Sequence, residues 1–168
     1  MSIRSGLTVL FVATAVAIGL AAERATFVLS DGSRQSGEVV FHGTGNRNII
    51  DNYLNLGDGG HEKTFPVDQV VMIDFAGGEP AASDLSVLTA GQDQVIVMRN
   101  GGPQRGRLVN LVNGDTVQWQ ADNGQGQQFA IRDVARIYLN PAAARRIFPQ
   151  LANAAPTATA TSGTASLG

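Results

Sequence analysis

The chain is 168 residues long, with 12 basic and 14 acidic side chains and a net charge of −2. That length holds one or two small domains, and the near-neutral balance gives no general basic footprint for nucleic acid. There is no cysteine, which excludes disulfides, thiol nucleophiles, cysteine-ligated zinc and a lipid-modified cysteine anchor.

Residues 1–22 read as a secretory signal peptide. MSIR carries one positive charge, LTVLFVATAVAIGLAA follows without a charge, and Gly19-Leu20-Ala21 offers small residues where a signal peptidase inspects the chain. Cleavage is expected after Ala21 or Ala22. An uncleaved anchor is the alternative, but the apolar run of about 16 residues falls short of the roughly 20 that span a bilayer. The mature protein is therefore expected in the periplasm or outside the cell. It would touch a membrane only through this segment, were it retained. No pattern in the sequence asks for a cofactor.

The body of the chain says nearly the same thing twice. DGSRQSGEVV at 31–40 is echoed 69 residues later by NGGPQRGRLV at 100–109. Phe65-x-Val67-x-x-Val70-x-x-Ile73 is echoed 64 residues later by Phe129-x-Ile131-x-x-Val134-x-x-Ile137. Pro-Ala-Ala then follows at Pro80 and at Pro141. Ordered signals at near-constant spacing imply an internal duplication, with five extra residues between the two signals of the first copy. Short apolar runs bounded by Asn, Asp and Gly predict strands at 26–29, 38–41, 53–56, 63–67 and 71–75 in the first copy. The second copy gives 95–98, 107–111, 116–120, 128–131 and 136–139, with a 3₁₀ turn at 132–134. Gly37 and Gly106 are expected to let a strongly bent strand pass without a side-chain clash. The boundaries that follow are repeat 1 at 23–76, a Gly/Ala/Ser-rich linker at 77–92 and repeat 2 at 93–140. A short helix at 141–148, opened by Pro141, should dock Ile147 and Phe148, and an Ala/Thr/Ser/Pro tail or linker runs over 149–168.

Five short strands, tight turns and a 3₁₀ turn before the last strand resemble the small SH3-like barrel. DGSRQSGEVV with FPVDQVVMI, and NGGPQRGRLV with FAIRDVARI, look like its Sm-like branch. The resemblance implies an all-β chain of two tandem SH3-like (Sm-like) barrels. Sm-like proteins bind RNA and form rings. This sequence differs in being exported, in lacking a clustered basic loop and in lacking the family's final glycine-containing loop, so no RNA-binding residue is carried over.

Candidate sites are sparse. His42 and His61 could meet Asp58 or Glu62 at a metal, but no ligand spacing supports one, and exposed loop histidines are expected. The stretch from Asp51 to Gly60 is rich in oxygen ligands yet lacks the calcium-loop pattern and reads as a turn. Ser30, Ser33 and Ser36 sit in no nucleophile elbow, and Asp31 with Glu38 is explained by a hairpin, so no enzyme is expected. Trp119 shares a face with Val117 and is expected in the core. Were it exposed, it could stack on a sugar ring, as could Tyr53 or Tyr138.

Charge is distributed unevenly. Residues 23–92 carry ten acidic and four basic side chains, and residues 93–150 carry four acidic and seven basic ones. Opposite halves can attract within a chain or between chains. The reading that follows is a non-catalytic binding or structural module of the bacterial cell envelope, acting through protein–protein contacts. It includes head-to-tail self-assembly in which Arg107, Arg132 and Arg136 meet Asp51, Asp58 and Asp68 of the next copy. The alternatives are a carbohydrate-binding accessory module of a lectin-like protein, for which Trp119 would have to be exposed, and a small hydrolase.

Overall fold

The structure, a computed structural model, describes residues 23–84, 88 and 93–149. The expected signal peptide, residues 85–87 and 89–92 of the expected linker, and the tail beyond residue 149 lie outside the described residues. Among the described residues, no helix is long and apolar enough to cross a membrane.

The first copy supplies β1 (Arg24–Leu29), β2 (Arg34–Val39), β3 (Tyr53–Asp58), β4 (His61–Pro66) and β5 (Val70–Asp74). The second supplies β6 (Gln94–Met98), β7 (Gln104–Val112), β8 (Thr116–Ala121), β9 (Gly126–Ala130) and β10 (Val134–Tyr138). A 3₁₀ turn precedes the last strand of each copy, at Val67–Gln69 and Ile131–Asp133, and a third lies at Ala82–Asp84. A helix, α1, spans Pro141–Ile147. Asn140 caps it, its Oδ1 accepting from the Ala143 N–H at 2.9 Å.

All ten strands join one curled antiparallel sheet in the order β4-β3-β2-β1-β5-β10-β6-β7-β8-β9. The order is a palindrome. Each copy runs from its last strand to its first and then outward, and the two last strands pair with Ile137 opposite Ile73. Those residues close the two matched hydrophobic signals of the sequence, so a pseudo-twofold axis passes between them.

Most strands start one or two residues earlier than their hydrophobic runs suggest, and two start three or four residues earlier. β2 begins at Arg34 because a tight Asp31-Gly32 hairpin joins it to β1, and β7 begins at Gln104. Both glycines flagged in the sequence lie at close approaches. A Cβ on Gly37 would collide with the Gly57 carbonyl oxygen and sit 3.3 Å from the Leu56 Cβ. A Cβ on Gly106, where φ is +155°, would strike the Gln120 carbonyl oxygen and lie 2.6 Å from the Trp119 indole nitrogen.

The two copies share one core. Phe27, Leu54, Leu56 and Ile73 of the first copy belong to the same buried cluster as Ile96, Leu111, Val117, Trp119 and Ile137 of the second. Burying each such large side chain contributes about 1.5–3 kcal/mol. The other face of the seam carries Val28, Val71, Met72, Val95 and Tyr138. It is covered by Leu88 and by Ala143, Ala144 and Phe148 at the α1 end, where the sequence expected Phe148 to dock.

The five extra residues of the first copy belong to a segment at 42–50 that reaches the second copy. The Asn48 N–H donates to the Leu111 carbonyl at 2.8 Å, and Arg47 bridges Val112. The Asn110 amide donates to the Ile49 carbonyl at 3.0 Å and accepts from the Ile49 N–H at 2.9 Å. The Asn48 amide donates to the Val40 and Asn55 carbonyls at 2.6 and 2.7 Å. Backbone groups that an irregular segment would leave unpaired in the interior are thus satisfied by buried asparagines.

Candidate functional site

A cluster of buried charges lies at the seam. Arg136 on β10 is 7% exposed, and its register partner Asp74 on β5 is equally enclosed. The Arg136 Nε is 3.3 Å from the Asp74 Oδ1, and Nη1 is 3.9 Å from the Asp84 Oδ2. Nη2 donates to the Gly77 and Glu79 carbonyls at 2.9 and 3.3 Å. The Tyr138 hydroxyl donates to the Asp84 Oδ2 at 2.6 Å. Burial, together with that bond to a carboxylate, pushes the Tyr138 hydroxyl well above the ordinary tyrosine pKa. Buried charges persist only when paired and hydrogen-bonded, and here the pairing ties the second copy to the first copy and to the linker.

That placement corrects the expectation for Arg136. Its guanidinium is enclosed and ion-paired within the chain, although its Nε makes no hydrogen bond, so it is not placed to meet an acidic residue of another copy. Arg107 and Arg132 are exposed, but they sit near opposite ends of β8. Arg107 lies opposite Gln120, whereas Arg132 lies two residues past Ala130, the partner of Thr116. The span from Thr116 to Gln120 is about 13 Å. Asp51 and Asp68 fall at one end of the β3–β4 pair, where the Val67 N–H reaches the Asn52 carbonyl at 2.9 Å. Asp58 falls at the other end, opposite His61, about 17 Å along the strand. The structure therefore gathers neither the three arginines nor the three aspartates into one patch.

Trp119 is 1% exposed and belongs to the shared core, as its alternation with Val117 predicts, so it offers no sugar platform. The His42 Nε2 and Glu62 Oε1 are hydrogen-bonded at 2.6 Å, while His61 is exposed at the β3–β4 hairpin. Among the described residues, no group of three His, Cys, Asp or Glu side chains is placed to hold a metal ion. The Ser33 hydroxyl donates to the Asp31 Oδ1 at 2.6 Å, which with the Ser33 N–H holds that carboxyl below its ordinary pKa. The Ser36 hydroxyl shares a hydrogen bond with Thr26.

Two surface features bear on recognition. The first is a groove of about 320 Å³ between the 42–51 segment and the outer face of β3–β4, lined by His42, Ile50, Asp51, Tyr53, Asn55 and Thr64. Tyr53, 44% exposed, forms part of its wall. The second is the pair of sheet edges. β4, His61–Pro66, is guarded by Glu62 and Lys63 and ends on proline. β9 reads Gly-Gln-Gln-Phe-Ala, with no charge and no proline. Along its outer edge, no described residue pairs with it.

Sequence reasoning missed Asp74 and Asp84, which it saw only as part of the acidic excess. It also missed Asn48, although the five extra residues marked the segment that carries it. Comparisons with protein-family profiles, with curated proteins and with solved structures gave no match.

Proposed function

We propose that this chain is a non-catalytic, exported module of the bacterial cell envelope, built from two SH3-like, Sm-like halves fused last strand to last strand, and that it works by holding protein partners at a free edge of its sheet. The observation that carries this reading is β9. A terminal strand with unpaired backbone groups, no charge and no proline is a template for strand addition. The strand order in each half, with the first strand between the second and the last, supports the SH3-like assignment. The leader-like residues 1–22 support export.

The test is a photo-crosslinking residue at Gln128, with Val109, an exposed residue of β7, as the control position. Discrete protein adducts in the envelope or extracellular fraction from position 128, and none from position 109, are expected. No adduct at position 128, or a protein retained in the cytoplasm with residues 1–22 attached, would refute the reading.

A second reading, saccharide binding, is favoured by Tyr53. An exposed aromatic ring beside Ile50, in a groove that Asp51, Thr64 and His42 also line, suits a pyranose with one apolar face and several hydroxyl donors. Calorimetric titration with neutral hexasaccharides tests it. Heat that Tyr53→Ala abolishes would support it, and no heat with cello-, chito- or malto-hexaose would remove it.

A further inference from the structure

We infer that β9 is a self-recognition edge, and that two copies of this chain join β9 to β9 across a twofold axis into one continuous twenty-stranded sheet. The inference rests on the reading of β9 as a protein-contact edge, and it names the partner.

Three observations support it. First, the two edges are unequal. β4 carries Glu62 and Lys63 and ends at Pro66, so an added strand would meet charged side chains there, whereas β9 offers five uncharged residues. Second, the exposed charges nearest β9 include a pair, Asp122 and Arg132, that is complementary to itself under a twofold rotation, although the acidic Asp133 stands beside Arg132. Asp122 lies in the turn that precedes the strand, and Arg132 lies in the 3₁₀ turn that follows it. Both are exposed. When β9 pairs antiparallel with its own copy and Gln128 sits opposite Gln128, residue 132 of one chain falls opposite residue 124 of the other. That places each Arg132 beside the Asp122 turn of its partner, and the contact is made twice. Third, the same operation sets Gln127 of one chain opposite Phe129 of the other on the inward face, where Phe129 is only partly covered by its own core.

The competing arrangements fare worse on the same grounds. Antiparallel pairing of β4 with β4 would bring the Asp58 and Glu62 end of one copy to the Asp68 end of the other, acid against acid. Head-to-tail pairing of β4 with β9 would set Arg132 near Asp58, but it would also bring Asp68 toward Asp122. It would lay the charged edge against the uncharged one as well. A head-to-tail contact leaves an edge free at each end and need not close, whereas a twofold contact closes as a dimer.

The absence of native cysteine makes the test direct. In an antiparallel pair, opposite Cα atoms lie about 4.5–5.5 Å apart, within the about 4.4–6.8 Å that a disulfide spans. Gln128→Cys alone should therefore form a disulfide-linked dimer under mild oxidation. Light scattering of the unmodified chain should give twice the monomer mass. Arg132→Glu should weaken the dimer by about tenfold or more, and Arg132→Glu combined with Asp122→Arg should restore it. Gln128→Lys should give a folded monomer, with folding checked by circular dichroism.

Crosslinking that needs Gln128→Cys and Lys63→Cys chains mixed together would overturn the inference in favour of head-to-tail assembly. So would a chain that stays monomeric and uncrosslinked. If such a monomer still gave adducts to another envelope protein from position 128, the edge would be a protein-contact site whose partner is not a second copy. No adduct of any kind would defeat both readings.

Discussion

Replacing Arg136 with methionine should destabilise the fold far more than any substitution of an exposed arginine. The side chain is nearly enclosed, as are its two acidic neighbours, at 9%, 5% and 5% side-chain exposure. Methionine keeps the volume of the stem but removes the charge, leaving Asp74 and Asp84 buried without a cation. The Asp74 Oδ1 keeps its bonds from the Ala76 and Gly77 N–H groups at 3.0 Å, and Asp84 keeps the Tyr138 hydroxyl. The Gly77 and Glu79 carbonyls lose their guanidinium donor. Breaking a buried pair by removing one partner costs about 3–5 kcal/mol, a large fraction of the roughly 5–15 kcal/mol that holds a domain folded. Urea denaturation should show the midpoint falling with an unchanged slope. Adding Asp74→Asn and Asp84→Asn should recover part of the loss, because the uncompensated charges are then gone. Arg132→Met, which changes an exposed side chain, should cost no more than about 0.5 kcal/mol. A loss under about 1 kcal/mol for Arg136→Met, or equal losses for the two arginines, would refute the account of the seam.

Other perturbations follow from the same geometry. Gly106→Ala adds a Cβ against the Trp119 ring at a positive φ and should cost about 2–4 kcal/mol. Gly124→Ala, at φ +81° with open space around it, should cost only about 1–2 kcal/mol, and equal urea midpoints would show that the close approach is not real. Tyr138 stays protonated in the fold above the pH at which an unfolded tyrosine ionises, near 10.0. Its contribution is therefore complete below about pH 10 and is lost as pH rises further, by about 1.4 kcal/mol per unit, and Tyr138→Phe should remove that part of the slope in alkaline denaturation. Asn48→Ala leaves the Val40 and Asn55 carbonyls without their amide donor at a cost of about 1–3 kcal/mol. Hydrogen exchange should speed up first at Asn48 and Asn113, whose N–H groups tie the 42–50 segment to β7, and uniform acceleration across β5 and β10 would contradict a local role.

The duplication was legible because it rests on local chemistry. Turns need Asn, Asp or Gly wherever they occur, and a half-buried strand needs its alternation, so both leave a mark at fixed spacing. Ile73 and Ile137 could be matched from sequence, but their lying opposite each other could not, because nothing local distinguishes a strand that pairs within its own copy from one that pairs across copies. Arg136 shows the limit most clearly. It sits in Val-Ala-Arg-Ile-Tyr, where alternation allows a polar residue on an outer face, and only the linker folding back with Asp84 encloses it. Trp119 was legible because Val117, two residues before it, fixes its face. Tyr53 is a candidate stacking residue by type, yet its groove depends on the 42–50 segment, whose position is set by contacts with a strand some 60 residues away. The three predicted aspartates were linked by sign alone, and sign carries no information about distance.

The charge asymmetry between the halves acquires a physical meaning at the pseudo-twofold axis. Two identical halves joined last strand to last strand would present each side chain twice, once on either side of the axis. A cation placed for an aspartate on one side would recur on the other, and both pairs would carry the cost of burial. In this chain the position matching Arg136 is Met72, and the position matching Asp74 is Tyr138. The register sets Arg136 against Asp74 on one side of the axis and Tyr138 against Met72 on the other. One side is ionic, with its hydrogen bonds reaching the linker through Gly77, Glu79 and Asp84. The other is aromatic and apolar, with a single hydroxyl bound to that same Asp84. A pair of identical chains could not differ in this way, whereas a fused pair can, because each half keeps its own sequence. The acidic excess of the first copy and the basic excess of the second thus meet first inside the molecule. Of the charges offered to a partner at the β9 edge, Arg132 and Asp122 come from the same copy, which is the condition a twofold contact requires.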